Sequence, residues 1–139
     1  MIYFIGDTHF CHNKEFIYKP RGFNTVDEMN SAIIHNWNDV IDPMDDVYML
    51  GDFALGTDYD SIECILKQLN GRIHLIIGNH DTDKKIAFYQ NSDRFVEFCY
   101  ATKLKLEGHT FMLSHYPMYT ANLEQNPKDA VFNIHSIES

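Results

Sequence analysis

The sequence predicts an α/β protein whose sheet begins parallel and ends with an antiparallel part. Three observations carry this expectation. Short apolar runs at residues 2–6, 46–50 and 73–77 have the length and continuity of strands buried on both faces. The segments between them repeat apolar residues at helical spacing. Within residues 96–106 the pattern includes strict alternation, which marks a half-buried strand in a hairpin.

Taken in order, the first run leads into residues 10–24, whose Asn, Lys, Pro and Gly read as a loop. Thr25-x-x-Glu28 is a capping box, so a helix starts there. Val26, Met29, Ile33, Trp37 and Val40 then recur at steps of three and four along one helical face, and Asp42-Pro43 stops it. The second run leads to Gly51-Asp52. Ile62, Ile65, Leu66 and Leu69 mark a second helix, closed by Asn70-Gly71. The third run ends at Gly78-Asn79-His80-Asp81, and a weaker helix is expected around 83–89. In the later part Leu104 and Leu106 alternate with Lys103 and Lys105. Glu107-Gly108 turns the chain, and residues 109–113 return it to Ser114-His115-Tyr116-Pro117.

The chain has 139 residues, enough for one core, so a single domain over 1–139 is expected. Hydrophobic residues make up 45% and charged residues 22%, which excludes disorder as the main state. A net charge of -9 argues against a long nucleic acid or an anionic membrane surface as partner, since both need excess Lys and Arg. No apolar run approaches the roughly 18 residues of a membrane span, and the N-terminus lacks the basic region and cleavage pattern of a leader. Cys11, Cys64 and Cys99 are odd in number and scattered, so a reducing, cytoplasmic setting is expected.

Every early strand ends in a polar cluster: Asp7-Thr8-His9, then Gly51-Asp52, then Gly78-Asn79-His80-Asp81. The hairpin ends in Ser114-His115. In open α/β sheets ligands bind beyond the carboxyl ends of the strands, where these clusters would converge. Each alone reads most simply as a turn or cap. Together, in this order, they supply carboxylate, imidazole and amide ligands for two divalent cations, of the kind that Mn, Fe, Zn or Ni accept. Asp7 and His9 would grip one cation, Asn79 and His115 the other, with the Asp52 carboxylate between them. Such a pair activates water and clamps a phosphoryl group.

These motifs resemble the calcineurin-like metallophosphoesterase family, in particular its small prokaryotic and phage-type members. The resemblance rests on Asp7-Thr8-His9-Phe10-Cys11-His12-Asn13, Glu28-Met29-Asn30, Asn36-Trp37-Asn38 and Leu50-Gly51-Asp52-Phe53, and runs from residue 2 to about 118. It implies an α/β/β/α sandwich and a dinuclear metal-dependent hydrolase of phosphomonoesters or phosphodiesters, possible substrates including small nucleotides, with manganese foremost among the metals. It implies Asp7 and His9 on the first metal, Asp52 as bridge, Asn79 and His115 on the second, and Asn79 also on the phosphate. A metal-bridging hydroxide would attack phosphorus, with His80 as general acid and Asp81 orienting it. A hydrogen-bonded turn histidine is the plainer alternative for His80.

One motif departs from the family. A closing Gly-His-x-His is expected after the Ser-His-Tyr-Pro segment, and the corresponding stretch, residues 132–139, holds only His135. His135 is either a surviving metal ligand or the residue before the missing glycine. A natural truncation, a frameshifted product and a site completed by a partner subunit all fit this departure. A shortened C-terminal edge would leave an open strand through which copies could pair. A degenerate metal- or phosphate-binding module, or an interaction protein, is therefore the alternative to an enzyme of small phosphorylated substrates. His12 either approaches the metals and phosphate or faces solvent. Arg21 either clamps a phosphate or is simply exposed. Cys11 is expected to pack near the site, and His35 and His74 to be ordinary.

Overall fold

The computed structural model describes residues 1–119 and 133–134. Four parallel strands, β1 (Ile2–Ile5), β2 (Asp46–Met49), β3 (Arg72–Ile76) and β4 (Phe95–Cys99), form one sheet in the order β1-β2-β3-β4. Their connections carry α1 (Glu15–Tyr18), α2 (Val26–Val40), α3 (Tyr59–Gln68) and α4 (Asp83–Gln90). Antiparallel β5 (Ala101–Leu106) and β6 (His109–Ser114) make a hairpin, and β7 (Met118–Tyr119) pairs with β8 (Asn133–Ile134).

The three longer helices, α2, α3 and α4, each start where a short polar side chain accepts a free amide. Thr25 accepts the Glu28 amide at 3.2 Å, while the Glu28 carboxylate accepts the amide of Asn24 rather than that of Thr25. Asp58 caps α3 through the amide and hydroxyl of Ser61, so that helix begins before the apolar spacing shows it. Thr82 caps α4. The short α1 lies in a segment expected as loop.

Strand alternation divides the core. Val47, Met49, Ile73 and Leu75 point to the helical side, where they meet Trp37, Ile41, Ile62, Ile65, Leu66 and Tyr89. Tyr48 and Ile76 point the other way and meet Leu113, with Leu104 alongside. The hairpin thus covers the second face. Among the described residues the layers run helix, sheet, sheet; the second helical layer of a four-layer sandwich is not among them. No helix of the described residues is long and apolar enough to cross a membrane.

Two expectations are corrected. Residues 96–106 do not form one strand of a hairpin. The first part joins the parallel sheet as β4, because Phe95 and Phe98 pack as aromatics into the helical-side core and Cys99 pairs with Ile76. The chain breaks at Tyr100 and starts β5 in the other sheet. The turn to β6 places Glu107 at φ 48° and Gly108 at φ 80°, the left-handed pair that hairpin twist favours. His74, expected as ordinary, sits between two carboxylates: its Nε2 is 2.9 Å from Asp46 and its Nδ1 2.9 Å from Glu97. It ties three neighbouring strands together and stacks on Tyr48 at 4.4 Å.

Candidate functional site

The segment leaving β1 runs beside the segment leaving β2. Asp7 donates its amide to Gly51, His9 to Asp52 and Phe10 to Phe53, at 3.1, 3.1 and 2.9 Å. Within this pairing the backbone takes left-handed values at Asp7 (φ 51°), His9 (φ 52°), Cys11 (φ 62°) and Asp52 (φ 53°). Such values are uncommon for residues other than glycine and are kept only where the surroundings enforce them. The result separates the side chains. Thr8 bonds the Phe53 carbonyl and Phe10 is fully buried, while Asp7 and His9 turn to meet Asp52.

Asp7, His9 and Asp52 each bring one ligand atom within 4.8 Å of the others. His9 Nε2 is 3.7 Å from Asp7 Oδ1 and 3.7 Å from Asp52 Oδ2. These separations are too long for hydrogen bonds. They approach the roughly 3.4 Å between neighbouring donors on one tetrahedral ion with bonds of about 2.1 Å. Asp7 Oδ1 and His9 Nε2 are buried and have no hydrogen-bond partner among the described residues. Buried polar atoms are almost always satisfied, so an unpaired acceptor beside an unpaired ring nitrogen fits a cation.

His115 adds a second imidazole to Asp52. Its Nδ1 donates to the Leu50 carbonyl at 2.8 Å, which turns Nε2 toward Asn79 and Asp52. That nitrogen lies 2.9 Å from Asn79 Oδ1 and 3.5 Å from Asp52 Oδ2. One oxygen of Asp52 therefore stands within reach of both imidazoles, the position a bridging ligand takes. Burial pushes the Asp52 carboxyl up, but His9, the His80 amide and His115 outweigh it and hold it below the ordinary range. Glycines clear the space. A Cβ at Gly51, whose φ is 95°, would strike the His115 ring, and one at Gly78 would strike the Asp52 carboxylate.

The sequence pattern of calcineurin-like phosphoesterases matches residues 1–134. The chain belongs to that family. It is 38% identical over 126 residues to an uncharacterised protein of Methanocaldococcus jannaschii, covering 88% of this chain and 64% of that one. The crystal structure of a protein of unknown function from Aquifex aeolicus superposes with a TM-score of 0.68 at 33% identity, covering 91% of this chain and 66% of the other. The chain thus spans slightly less than two thirds of the length of both relatives.

In this member of the family two of the expected site residues hold backbone groups. Asp81 does not pair with His80. Its Oδ2 accepts the amides of Asp52 and Gly78, both at 2.8 Å, and its Oδ1 the amide of Phe53 at 3.2 Å. It is 4% exposed and anchors the loops after β2 and β3 to each other. Burial pushes its carboxyl up, against the pull of those amides. Arg21 is exposed, the plainer of its two expected states. Its guanidinium donates to the carbonyls of Asp7 and Thr8 at 3.0 and 2.9 Å, holding the left-handed segment from behind.

His80 is exposed at the rim, with its ring 6.0 Å from that of His9 and its amide donated to Asp52 Oδ1 at 2.8 Å. His12 lies against His9, their Nδ1 atoms 3.1 Å apart. Cys11 is half-buried and bonded to Asn30. His135 lies outside the described residues. Sequence reasoning missed Lys85, which is 7% exposed and donates to the carbonyls of Ala54 and His80 at 2.9 and 3.3 Å. An ordinary helix-surface lysine in the sequence gives no sign of this. Burial pulls its amine below the usual range.

Proposed function

We propose that the chain is a metal-dependent hydrolase of small phosphoesters. The observation that carries this reading is the pair of unpartnered buried atoms, Asp7 Oδ1 and His9 Nε2, facing the buried Asp52 carboxylate. Asp7, His9 and Asp52 would hold one divalent cation, and Asp52, Asn79 and His115 a second. Bound there, such ions lower the pKa of a water and offset the charge of the phosphoryl group.

The protein's own groups do the rest. The Leu50 carbonyl fixes the His115 ring so that its ligand nitrogen faces Asp52. Asn79, exposed at the rim, orients a phosphate oxygen with its amide. His80, also at the rim, delivers a proton to the leaving oxygen. Asp81 and Lys85, tied to backbone groups of the two loops, keep these residues in register. The acidic surface favours small substrates over long nucleic acid.

The test is hydrolysis of a chromogenic phosphodiester and a chromogenic phosphomonoester with Mn²⁺, comparing the protein with Asp52→Asn. Turnover that the substitution reduces by orders of magnitude supports the reading. Equal rates in the two proteins overturn it.

A further inference from the structure

We propose that His12 is a positioning residue that decides which nitrogen of His9 faces the cation. The proposal deepens the reading of Asp7, His9 and Asp52 as a metal site and rests on it. The two Nδ1 atoms lie at hydrogen-bonding distance, 3.1 Å. Two ring nitrogens can approach so closely only if one carries the hydrogen and the other accepts it.

A neutral imidazole has one N–H. When His12 accepts, the hydrogen of His9 sits on Nδ1 and its Nε2 is a bare lone pair directed at Asp7 and Asp52. When His12 donates, the hydrogen of His9 moves to Nε2 and points where the ion should be. A cation held by Asp7, His9 and Asp52 needs that lone pair, and Nε2 is buried without a partner among the described residues where the cation would sit, so the metal reading selects the first arrangement. His12 then carries its own hydrogen on Nε2.

The other candidate imidazole ligand needs no such neighbour. His115 is oriented by the Leu50 carbonyl, a backbone group. His9 has no backbone acceptor at Nδ1 among its described hydrogen bonds, and His12 takes that place. His12 is itself held. Its ring lies within 26° of parallel to that of His9 with centroids 5.3 Å apart, it meets Phe16 edge-on at 5.8 Å, and its amide donates to the His9 carbonyl at 3.1 Å. Outer hydrogen bonds of this kind fix the tautomer and orientation of a metal-binding imidazole.

Two variants separate positioning from packing. His12→Phe keeps a ring against Phe16 and removes the acceptor; His12→Asn offers a carbonyl oxygen near the place of Nδ1. Zinc binding is followed by calorimetry, and the His9 tautomer by ¹⁵N NMR of the metal-free protein. The expected result is Nδ1–H on His9 in the unsubstituted protein, zinc affinity about 10–100-fold lower in His12→Phe, and recovery of most of it in His12→Asn. Equal zinc affinity in His12→Phe overturns the proposal. So does a His9 hydrogen on Nε2 in the unsubstituted protein, a measurement that needs no variant to fold. If the unsubstituted protein binds no zinc while His9 carries Nδ1–H and loses that preference in His12→Phe, the tautomer lock stands and the metal reading falls.

Discussion

Asp81 holds Asp52 by its backbone amide, at 2.8 Å, and leaves the Asp52 side chain to the site. The same oxygen of Asp81 takes the amide of Gly78, so one buried carboxylate sets the spacing between the loops that carry Asp52 and Asn79. The chemistry of the site is thus separated from the bonds that shape it.

Replacing Asp81 with Asn puts an NH₂ group against one of three inward-facing amides. A buried donor without an acceptor costs about 1–3 kcal/mol. Urea unfolding is expected to show a loss of that size in Asp81→Asn and a larger one in Asp81→Ala. Unchanged midpoints in both would mean that the loops do not depend on this anchor.

Arg21 spans two carbonyls of the left-handed segment. Its conversion to Met is expected to lower stability by about 1–2 kcal/mol, reduced from the value for buried charged hydrogen bonds because the contact is partly exposed. Affinity for Mn²⁺ should fall with it. Lys in this place should restore only part, since an ammonium lacks the planar fork that spans both oxygens. Calorimetric titration of the three proteins decides the point.

Gly51 and Gly78 lie where a methyl group would collide with His115 and Asp52. Alanine at either position is expected to weaken metal binding strongly and to lower stability by about 1–3 kcal/mol through overpacking. At Gly51 the left-handed φ adds to the penalty. Metal content by elemental analysis and thermal unfolding, measured together, test both effects.

Asp7→Asn should act in opposite directions with and without metal. In chelator it removes a negative charge close to Asp52, so the metal-free protein should unfold no more easily than the unsubstituted one. With Mn²⁺ at about 100 times its Kd, the unsubstituted protein should gain about 2.7 kcal/mol, and Asp7→Asn much less. Equal gains would remove Asp7 from the ligand set.

Asp46 provides the pH test. Its carboxyl is held below the ordinary range, chiefly by His74 and further by Arg72, against a burial effect that opposes them. A depressed carboxyl adds stability above its unfolded pKa, and this is lost as pH falls through the folded value. Asp46→Asn should therefore be less stable than the unsubstituted protein at pH 6. The difference should fade below the usual carboxylate range, toward about pH 3. Urea midpoints at the two pH values check it.

The parallel first part of the fold was legible because three buried strands are three uninterrupted apolar runs, and because Thr25 and the spacing from Val26 to Val40 mark α2. The meeting of Asp7, His9 and Asp52 was legible for a related reason: these residues follow strand ends, and strand ends show. What did not show was any partner chosen by three-dimensional folding. Asp81 follows His80 in the chain, which suggested a pair, yet its acceptors lie opposite amides of residues 52, 53 and 78. The hold of Arg21 on the carbonyls of Asp7 and Thr8 did not show because nothing in the sequence places them beside it. His74 looked ordinary because Asp46 and Glu97 reach it only through strand order and register. The division of residues 96–106 between two sheets was hidden because one alternating pattern serves either sheet, and only the core around Phe95 and Phe98 decides where the first half goes.

The left-handed backbone at Asp7, His9 and Asp52 sets folding against chemistry at the same three positions. Glycine would relax each of them, yet glycine has no atom to offer an ion. Selection of this protein for heat resistance alone would thus reward the erosion of its own centre, and hardened variants would need to be screened for ion retention at every round.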